Sequence, residues 1–438
     1  MRVLINIGLL VLLAAVLAAW IFLPWQGALL LAILVAAWML FTRRGKQAAS
    51  VTAVGISTLR QRLGSASVIV IGIAGVVGVL VALLAMGEGY SQTLRKTGSA
   101  DTAIVMRGSS ASEVMSVLDH DSITLIPQAE GIARDAKGQP IASPELVVAA
   151  NLPVKGGTAD DEGSVQLRGV GAQAWAVRPE VKIVEGRNFA PGMRELIVGK
   201  GAARQFAGLV PGHEIRLGNQ VWTVVGVFSA DNAMDSEVWG DAGVVADTYR
   251  RGGSRASVTV KLADPSKFDA FKAALEGNPQ LKVDAETTID YFNKQSEGTA
   301  KVIRIMGIAV GLIMAIGAMF GALNTMFAAV AARAREIATL RAIGFRGLPV
   351  VVAIMLETML LALIGGLIGG LLAWLIFNGY SASTLAAGTV GQLSFQLKVT
   401  GELLWTGLKW ALAIGFIGGL FPAVRAARLP VTTALREL

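Results

Sequence analysis

Long apolar stretches limit what this chain can fold into more than any other feature of its sequence. They occupy residues 1–42, 66–87, 302–331, 348–378 and 403–423, and they carry few charges. A run of about 20 apolar residues is long enough to cross the hydrocarbon layer of a membrane as a helix. Only 16% of the 438 residues are charged, whereas a soluble domain has about 25%. The sequence therefore predicts a multi-pass membrane protein.

The charged residues divide the chain into two parts of opposite sign. Residues 91–297 hold 26 acidic and 22 basic side chains, and the remainder holds 5 acidic and 17 basic ones. Three basic patches lie beside the apolar stretches: Arg43, Arg44, Lys46, Arg60 and Arg62; Arg333, Arg335, Arg341 and Arg346; Arg425, Arg428 and Arg436. Basic loops are enriched on the cytoplasmic side of a membrane. We therefore expect a bacterial inner-membrane protein with both termini inside, a periplasmic domain at 91–297, and membrane lipid, not nucleic acid, beside the basic residues.

The predicted fold class is a membrane all-α protein, with four core transmembrane helices plus an N-terminal helical pair, and an inserted α+β periplasmic domain. Short runs of β-forming residues bounded by turn residues predict strands in that domain at Ala103–Met106, Leu146–Ala150, Ser164–Leu167, Glu195–Val198, Val221–Phe228 and Ser257–Leu262. Two amphipathic helices are predicted after them, at Lys267–Glu276 and Ile289–Glu297.

The predicted segments follow the chain in order. They are 1–43, an extra transmembrane hairpin; 44–64, a cytoplasmic amphipathic segment; 65–90, the first core helix; 91–297, the periplasmic domain; 298–332, the second core helix; 333–347, a cytoplasmic helix; 348–378, the third core helix; 379–401, a short periplasmic loop; 402–423, the fourth core helix; and 424–438, a basic cytoplasmic tail.

The sequence gives no sign of catalytic chemistry. It contains no Gly-x-x-x-x-Gly-Lys-Ser/Thr loop for nucleotide phosphates, no cysteine, and no Asp, Glu and His residues at metal-ligand spacing. We therefore expect no catalytic residue, no metal site and no cofactor in this chain, so that any ATP and Mg²⁺ would be held by a partner protein.

Two features inside the apolar stretches predict contacts between helices. Gly72, Gly75 and Gly78 recur at three-residue spacing, which lets a second helix approach closely, although glycine is also common in membrane helices generally. Glu357 is a carboxylate well inside a span, where a charge is costly. A proton relay would need a partner, for which Lys301, Asn324 and Lys409 are candidates; an interhelical or interfacial hydrogen bond is the alternative that we favour.

The segment after the second core helix has a distinctive sequence. Residues 335–344 read REIATLRAIG, with apolar residues at Ile337, Leu340 and Ile343 and a glycine where the helix should end. This segment resembles the coupling segment of the MacB/FtsX/LolC-LolE permeases, also called type VII or mechanotransmission ABC transporters. The chain end has that family's pattern of proline and basic residues, at Pro422, Arg425, Ala426, Pro430, Ala434, Leu435 and Arg436, and the outer domain is similar at 185–189, 195–199 and 212–217.

The resemblance covers about 50–438 and implies a permease subunit without a fused ATPase domain. It implies that the helix around Glu336 docks in a groove of a separate ABC ATPase, present in two copies, beside a second permease chain that is identical or related. The implied coupling residues are Arg335, Glu336, Ile337, Leu340, Arg341, Ile343 and Gly344. A periplasmic adaptor and an outer-membrane duct would complete a machine for efflux of a drug, peptide or similar periplasmic substrate.

Three other readings are open. The same type of machine could extract lipoprotein or lipid, whereas regulation of cell-wall hydrolases fits less well because those permeases usually have a smaller outer domain. A sensor or scaffold could instead bind a ligand outside and recruit a signalling partner inside, without transport. The basic patches could also serve only as anchors to anionic lipid. The role of the extra pair at about 3–42 is open, and packing against the core or a partner is our expectation.

Overall fold

The computed structural model describes residues 15–16, 19–157, 161–385 and 391–428. The chain divides into two compact units. The first, called the membrane unit below, comprises Met1–Ala85, Ile303–Asn378 and Lys398–Leu438; the second, the outer unit, comprises Met86–Val302 and Gly379–Leu397.

The described helices are α1 (Trp25–Phe41), α2 (Arg43–Ser57), α3 (Leu63–Arg95), α4 (His120–Leu125), α5 (Ala174–Val177), α6 (Lys200–Gln205), α7 (Ala242–Thr248), α8 (Phe268–Glu276), α9 (Thr288–Ala332), α10 (Ala334–Ala342), α11 (Gly347–Phe377) and α12 (Gly401–Arg428). The described strands are β1 (Thr102–Arg107), β2 (Ala142–Pro153), β3 (Glu162–Val170), β4 (Lys182–Gly186), β5 (Glu195–Gly199), β6 (Glu214–Leu217), β7 (Gln220–Ser229), β8 (Glu237–Asp241), β9 (Ser257–Lys261), β10 (Val283–Thr287), β11 (Ser381–Leu385) and β12 (Gln392–Gln396). Short 3₁₀ turns lie at Thr58–Arg62, Glu113–Met115, Ile126–Gln128, Ala233–Ser236 and Pro265–Lys267.

Four helical stretches in the described residues are long and apolar enough to cross a membrane. They are Arg43–Arg95, Thr288–Ala332, Gly347–Phe377 and Gly401–Arg428. Helix α1 has 17 residues and is shorter than these four. The other span of the predicted N-terminal pair falls mostly outside the described residues. The predicted fold class, membrane helices with an inserted α/β domain, is confirmed.

Helix α9 is longer than its predicted transmembrane segment. The sequence predicted a separate amphipathic helix at Ile289–Glu297, but the structure has one continuous helix of 45 residues from Thr288 to Ala332. At 1.5 Å per residue this helix is about 68 Å long, more than twice the hydrocarbon thickness of a membrane. Thr288 belongs to the outer unit and Ala332 to the membrane unit, so one helix connects the two.

The close contacts in the membrane unit involve other glycines than the sequence predicted. Gly72 and Gly75 of α3 have nothing within 4 Å of where a Cβ would stand, and the nearest atom to Gly78 is 3.7 Å away. Within this chain Gly72 and Gly75 make no close helix contact, whereas Gly78 lies in ordinary contact with the Gly369 carbonyl oxygen of α11, and the packing role of the three glycines stays a prediction. The closest approach of α3 to α11 is at Gly369, where a Cβ would lie 2.4 Å from the carbonyl oxygen of Ala74. Spacing alone could not show which helix supplies the glycines.

Helix α2 is amphipathic, as predicted, but a neighbouring helix covers its apolar face. The buried residues of α2 recur at helical spacing and are Gly45, Ala48, Val51, Thr52 and Gly55. This face packs against α11. Small side chains on that face let the two helices approach closely.

The outer unit is built around one mixed sheet. The strand order is β10-β1-β9-β2-β3-β8-β5-β7-β4, and β6 pairs with β7. Strand β2 belongs to both halves of the sheet, because Ala142–Glu145 pairs with β9 while Leu146–Pro153 pairs with β3. A hydrophobic cluster that includes Val105, Val258 and Phe271 packs on the β9 half, and one that includes Val165, Leu196 and Trp222 packs on the β3 half. We call these halves with their clusters the two lobes of the outer unit, and β2 passes from one lobe to the other.

The predicted short loop between α11 and α12 contains a small antiparallel sheet. Its strands β11 and β12 pair from Ser381 opposite Gln396 to Leu385 opposite Gln392. The sheet belongs to the outer unit, where the Ser394 N–H donates to Ser236 Oγ at 2.8 Å. This part of the chain therefore belongs to the outer unit although Ile303–Asn378 of the membrane unit separates it in sequence from the rest of that unit.

Candidate functional site

The segment 333–347 forms a short helix between two apolar ones, as the sequence predicted. Arg333 is the only residue between α9 and α10, and its φ of −107° and ψ of 13° interrupt the helix. After α10, Gly344 has a φ of +107°, and the Phe345 N–H donates to the Leu340 carbonyl at 3.1 Å. The predicted glycine C-cap is confirmed, because a residue with a Cβ rarely adopts this backbone conformation.

The three apolar residues of this segment do not form one free surface. Ile337 is only 5% exposed and packs within the membrane unit, Leu340 is half-buried, and Ile343 is 69% exposed. The Ile337 side chain is thus already covered within this chain, and its place in a groove of a partner stays a prediction. Arg335 and Glu336 are exposed, together with Thr339 and Ala342. The exposed side of α10 is thus mainly polar, and the apolar residue Ile343 lies directly after its last turn.

Glu357 lies in a cluster of charged residues next to α10. Its Oε1 accepts a hydrogen bond from Arg62 Nη2 at 3.0 Å, and its Oε2 accepts one from Arg333 Nη1 at 3.1 Å. Arg333 Nε also donates to Glu336 Oε2 at 3.0 Å. We call Arg62, Arg333, Glu336 and Glu357 the Glu357 cluster. The suggested partners Lys301, Asn324 and Lys409 are not the groups that hold this carboxylate.

The Glu357 cluster is more exposed at one end than at the other. The Glu357 side chain is 5% exposed, whereas those of Arg333 and Arg62 are 13% and 20% exposed and that of Glu336 is 57% exposed. Gly55 of α2 covers the inner end, because a Cβ there would lie 3.0 Å from Glu357 Oε2. Two arginines therefore compensate one buried carboxylate, and Glu336 extends the cluster to the surface of α10.

The basic tail is described as far as Arg428. The Arg425 guanidinium lies over the Phe327 ring, 5.6 Å from its centre, which is a cation–π contact between α12 and α9. Arg428 is exposed at the end of α12, and Arg436 lies outside the described residues.

A second cluster of buried charges lies in the outer unit and was not predicted. Arg168 of β3 is 2% exposed, and its five N–H groups donate to three carboxylates. Two bonds go to Glu237, at 2.8 and 3.0 Å, two to Glu113, at 2.9 and 3.0 Å, and one to Glu145, at 2.8 Å. Arg168 is therefore fully paired, which a guanidinium needs when it is removed from water.

Further groups complete this outer cluster. Arg178 donates to both oxygens of Glu145, and Trp239 Nε1 donates to Glu237 at 2.7 Å. The Ser257 hydroxyl donates to Glu113 at 2.7 Å. Glu113 comes from the 3₁₀ turn after β1, Glu145 from the part of β2 that pairs with β9, and Glu237 from β8, so that Arg168 of β3 connects the two lobes. We call Glu113, Glu145, Arg168, Arg178 and Glu237 the Arg168 cluster.

The pKa of Glu113 shows which force dominates in this cluster. Burial acts to raise the pKa of this carboxyl, but the positive charge of Arg168 and the hydrogen bonds from Arg168 and Ser257 outweigh it, and the pKa lies below its ordinary value of 4.5. Glu113 is therefore ionised at neutral pH. Among the described residues, no group of three or more His, Cys, Asp or Glu side chains is arranged to hold a metal ion.

The described part of the chain has long apolar helices, an α/β domain inserted between two of them, and a short helix between two others. The MacB-like periplasmic core domain model matches residues 66–278, and the FtsX-like permease C-terminal model matches 308–431. The chain belongs to the MacB/FtsX-like family of ABC transporter permeases, whose members work with ABC ATPase partners. It is thus a multi-pass membrane protein with an extracytoplasmic domain, and the segment 333–344 lies within the FtsX-like match.

Relatives of this family align with most of the chain. An uncharacterized ABC transporter permease, YknZ of Bacillus subtilis, is 24% identical over 82% of this chain and 92% of its own length. The macrolide export ATP-binding/permease protein MacB of Escherichia coli is 26% identical over 84% of this chain and 57% of its own length.

Two solved structures also overlap with this chain. The extracellular domain of YknZ from Gram-positive bacteria covers 42% of it, with a TM-score of 0.32 and 14% identity. The periplasmic region of MacB from Actinobacillus actinomycetemcomitans covers 45%, with a TM-score of 0.33 and 16% identity. These scores are too low to support an inference, and family membership rests on the two family models and the aligned relatives.

Proposed function

We propose that this chain couples ATP hydrolysis by a separate ABC ATPase to a conformational change of the outer unit. The observation that carries the proposal is the short helix α10, which follows directly after the 45-residue helix α9 and exposes polar residues of both charges. An exposed helix with one apolar end at Ile343 suits docking in a groove of a partner protein. Helix α9 supplies a continuous connection from that helix to the outer unit.

The proposed orientation places α10 and both chain termini in the cytoplasm and the outer unit in the periplasm of a bacterium. The support is the distribution of basic residues, which cluster at 43–62, 333–346 and 425–436. An ATPase that binds ATP and Mg²⁺ must be cytoplasmic to use cellular ATP, so that α10 is on the correct side to contact it.

The proposed assembly has two ATPase copies and two permease chains, identical or related, with a periplasmic adaptor and an outer-membrane duct. Its proposed activity is efflux of a drug, a peptide or a similar substrate. The support is the relative named for macrolide export, which carries an ATP-binding part in addition to its permease. Extraction of lipoprotein or lipid by the same assembly, and a sensor or scaffold without transport, remain the alternatives.

A charge reversal tests the docking role of α10. Arg335 is exposed on α10, and we expect Arg335→Glu to weaken binding of the ATPase subunit about tenfold or more, which corresponds to about 1.4 kcal/mol. The matched control is Arg60→Glu, because Arg60 is an equally exposed arginine of another basic patch. The variant Glu336→Lys with Leu340→Asp should abolish binding. The measurement is co-purification of the ATPase with the tagged chain, followed by titration and ATP turnover of the isolated complex.

The Arg60→Glu control distinguishes docking of α10 on the ATPase from attraction of the basic residues to anionic lipid. If Arg335→Glu and Arg60→Glu reduce ATPase binding equally, the basic residues act through the membrane surface and α10 has no specific role. If all variants bind the ATPase like the wild type with unchanged turnover, the coupling function is wrong and the sensor alternative gains support.

A further inference from the structure

The Glu357 cluster joins three parts of the membrane unit that are far apart in sequence. Glu357 belongs to α11, Arg62 ends the turn before α3, and Arg333 is the break between α9 and α10. Each oxygen of the Glu357 carboxylate accepts one N–H from one of these arginines. Separating a buried carboxylate from its arginines is costly, because the charge is left uncompensated away from water. The cluster therefore opposes independent movement of the three parts.

Arg333, at the break between α9 and α10, bonds to both α10 and α11. Its Nη1 donates to Glu357, and its Nε donates to Glu336 in the first turn of α10. A displacement of α10 therefore changes the position of Arg333 and of the hydrogen bonds that it makes to α11. Gly55 of α2 lies against the same carboxylate, where a larger residue would push Glu357 out of place.

We propose that Glu357 is a positioning residue that passes movement of α10 to α3 and α11 through Arg62 and Arg333. This inference rests on the proposed function, because it assumes that the ATPase displaces α10. Helix α3 begins directly after Arg62 and α9 ends directly before Arg333, so that the cluster lies at the ends of both helices. The role of Glu357 is thus to transmit displacement, whereas the exposed residues of α10 bind the ATPase.

The test separates ATPase binding from the response of the outer unit. The chain contains no cysteine, so that Val210→Cys, at an exposed position of the outer unit, accepts a single environment-sensitive fluorophore. The measurement uses the labelled full chain with its ATPase in lipid nanodiscs. ATPase affinity comes from titration, and transmission comes from the fluorescence change when ATP and vanadate are added.

Glu357→Gln keeps the shape of the side chain and removes its charge. We expect its ATPase affinity to stay within about twofold of the wild type, a difference under about 0.5 kcal/mol, and the fluorescence response to fall about fivefold or more. Glu357→Asp keeps the charge and should recover part of the response. The matched control is Glu402→Gln, since Glu402 is an exposed carboxylate at the start of α12 and should change neither reading.

A second variant keeps the proposal testable if Glu357→Gln does not fold. Arg62 is 20% exposed, so that Arg62→Gln disturbs the interior less than a change at Glu357 does. We expect Arg62→Gln to reduce the fluorescence response in the same direction with the ATPase still bound.

Two results would overturn the positioning role of Glu357. One is a normal fluorescence response in both Glu357→Gln and Arg62→Gln. The other is a parallel loss of ATPase affinity and response, which would mean that the cluster only supports the fold of α10. A wild-type chain that binds no ATPase would instead show that the proposed function is wrong, a failure that is visible before any variant is compared.

Discussion

The two buried ion clusters of this protein differ in how completely they are enclosed. In the Arg168 cluster of the outer unit, the side chains of Arg168, Glu113 and Glu145 are 2%, 7% and 0% exposed, and every N–H of Arg168 is paired. In the Glu357 cluster of the membrane unit, exposure rises from 5% at Glu357 to 57% at Glu336, along one chain of contacts. No side chain of the first cluster is more than 10% exposed, whereas the second cluster leads from the interior to the surface.

This difference in exposure indicates a structural role for the Arg168 cluster and a mechanical role for the Glu357 cluster. An ion pair that is fully buried has no alternative partner in water, so that breaking it costs several kcal/mol and it holds its lobes in one arrangement. In the Glu357 cluster only the outer pair of Arg333 with Glu336 is exposed enough to exchange a protein partner for water at low cost, whereas the pairs of Glu357 with its arginines resist separation. The Glu357 cluster is therefore suited to passing on a displacement of α10, and the Arg168 cluster is suited to keeping the two lobes of the outer unit together.

The largest effect is expected at Arg168. Arg168→Met fills a similar volume but leaves Glu113 and Glu237 without their principal cation, which should destabilise the outer unit by about 3–5 kcal/mol. The measurement is urea unfolding of the full chain, with the fluorescence of a fluorophore attached to Val210→Cys as the signal. The control is Arg187→Met, because the Arg187 side chain is 59% exposed in its pair with Glu195 and its loss should hardly change the unfolding midpoint. Equal midpoints for the two variants would contradict a rigid outer cluster.

A smaller effect is expected at a close contact between two helices of the membrane unit. At Gly369, the added Cβ of Gly369→Ala would lie 2.4 Å from the Ala74 carbonyl oxygen, so that α3 and α11 must separate. We expect a loss of about 1–3 kcal/mol, as for other overpacked contacts. The measurement is the thermal unfolding midpoint in detergent.

The control for this variant lies on the other face of α3. At Gly72, nothing is within 4 Å of the added Cβ, so that Gly72→Ala should leave the midpoint unchanged or raise it slightly. A larger loss from Gly72→Ala than from Gly369→Ala would show that the outward face of α3 is covered, for example by a second permease chain. The pair of variants therefore also tests the original sequence prediction.

The sequence predicted those parts of the molecule that follow from local pattern. Apolar length located the spans, and β-type runs located six strands, because both signals lie within a short window. Strands β4, β6, β8, β10, β11 and β12 were missed. In β8 and β10, for example, Glu237 and Asp284 resemble loop residues and are recognised as strand residues only from their partners in the sheet. The coupling segment was recognised by resemblance, but which of its apolar residues are free depends on packing against the rest of the membrane unit.

Neither ion cluster could be predicted from residue spacing. Arg62 and Glu357 are separated by 295 residues, and Arg168 lies 69 residues from Glu237. The one available signal was Glu357 itself, because a carboxylate in a span requires a partner. Its partners were sought in Lys301, Asn324 and Lys409, whereas the structure supplies them from two of the basic patches. Those patches had been interpreted as marks of the cytoplasmic side, with ATPase coupling or lipid anchoring as their role.

The smallest expected effect is a pH dependence of the outer unit. The pKa of Glu113 is lower in the folded chain than its ordinary value of 4.5, so that the folded state binds fewer protons there than the unfolded state. The stabilisation is therefore fully present above about pH 4.5 and is lost as the pH falls through the folded pKa. Urea unfolding between pH 3 and pH 7, with the same fluorophore on Val210→Cys as the signal, should show this loss of stability. In Glu113→Gln the loss on acidification should be smaller.

Arg168→Met should reverse the sign of this pH dependence. Without the arginine, burial dominates and raises the pKa of Glu113, so that the folded variant binds more protons than the unfolded one. Acid then neutralises a buried charge and stabilises the variant, and the difference from the wild type should shrink as the pH falls. A difference that stays constant with pH would mean that Arg168 acts through packing alone. In that case burial of the charges would not explain why the Arg168 cluster and the Glu357 cluster have different roles.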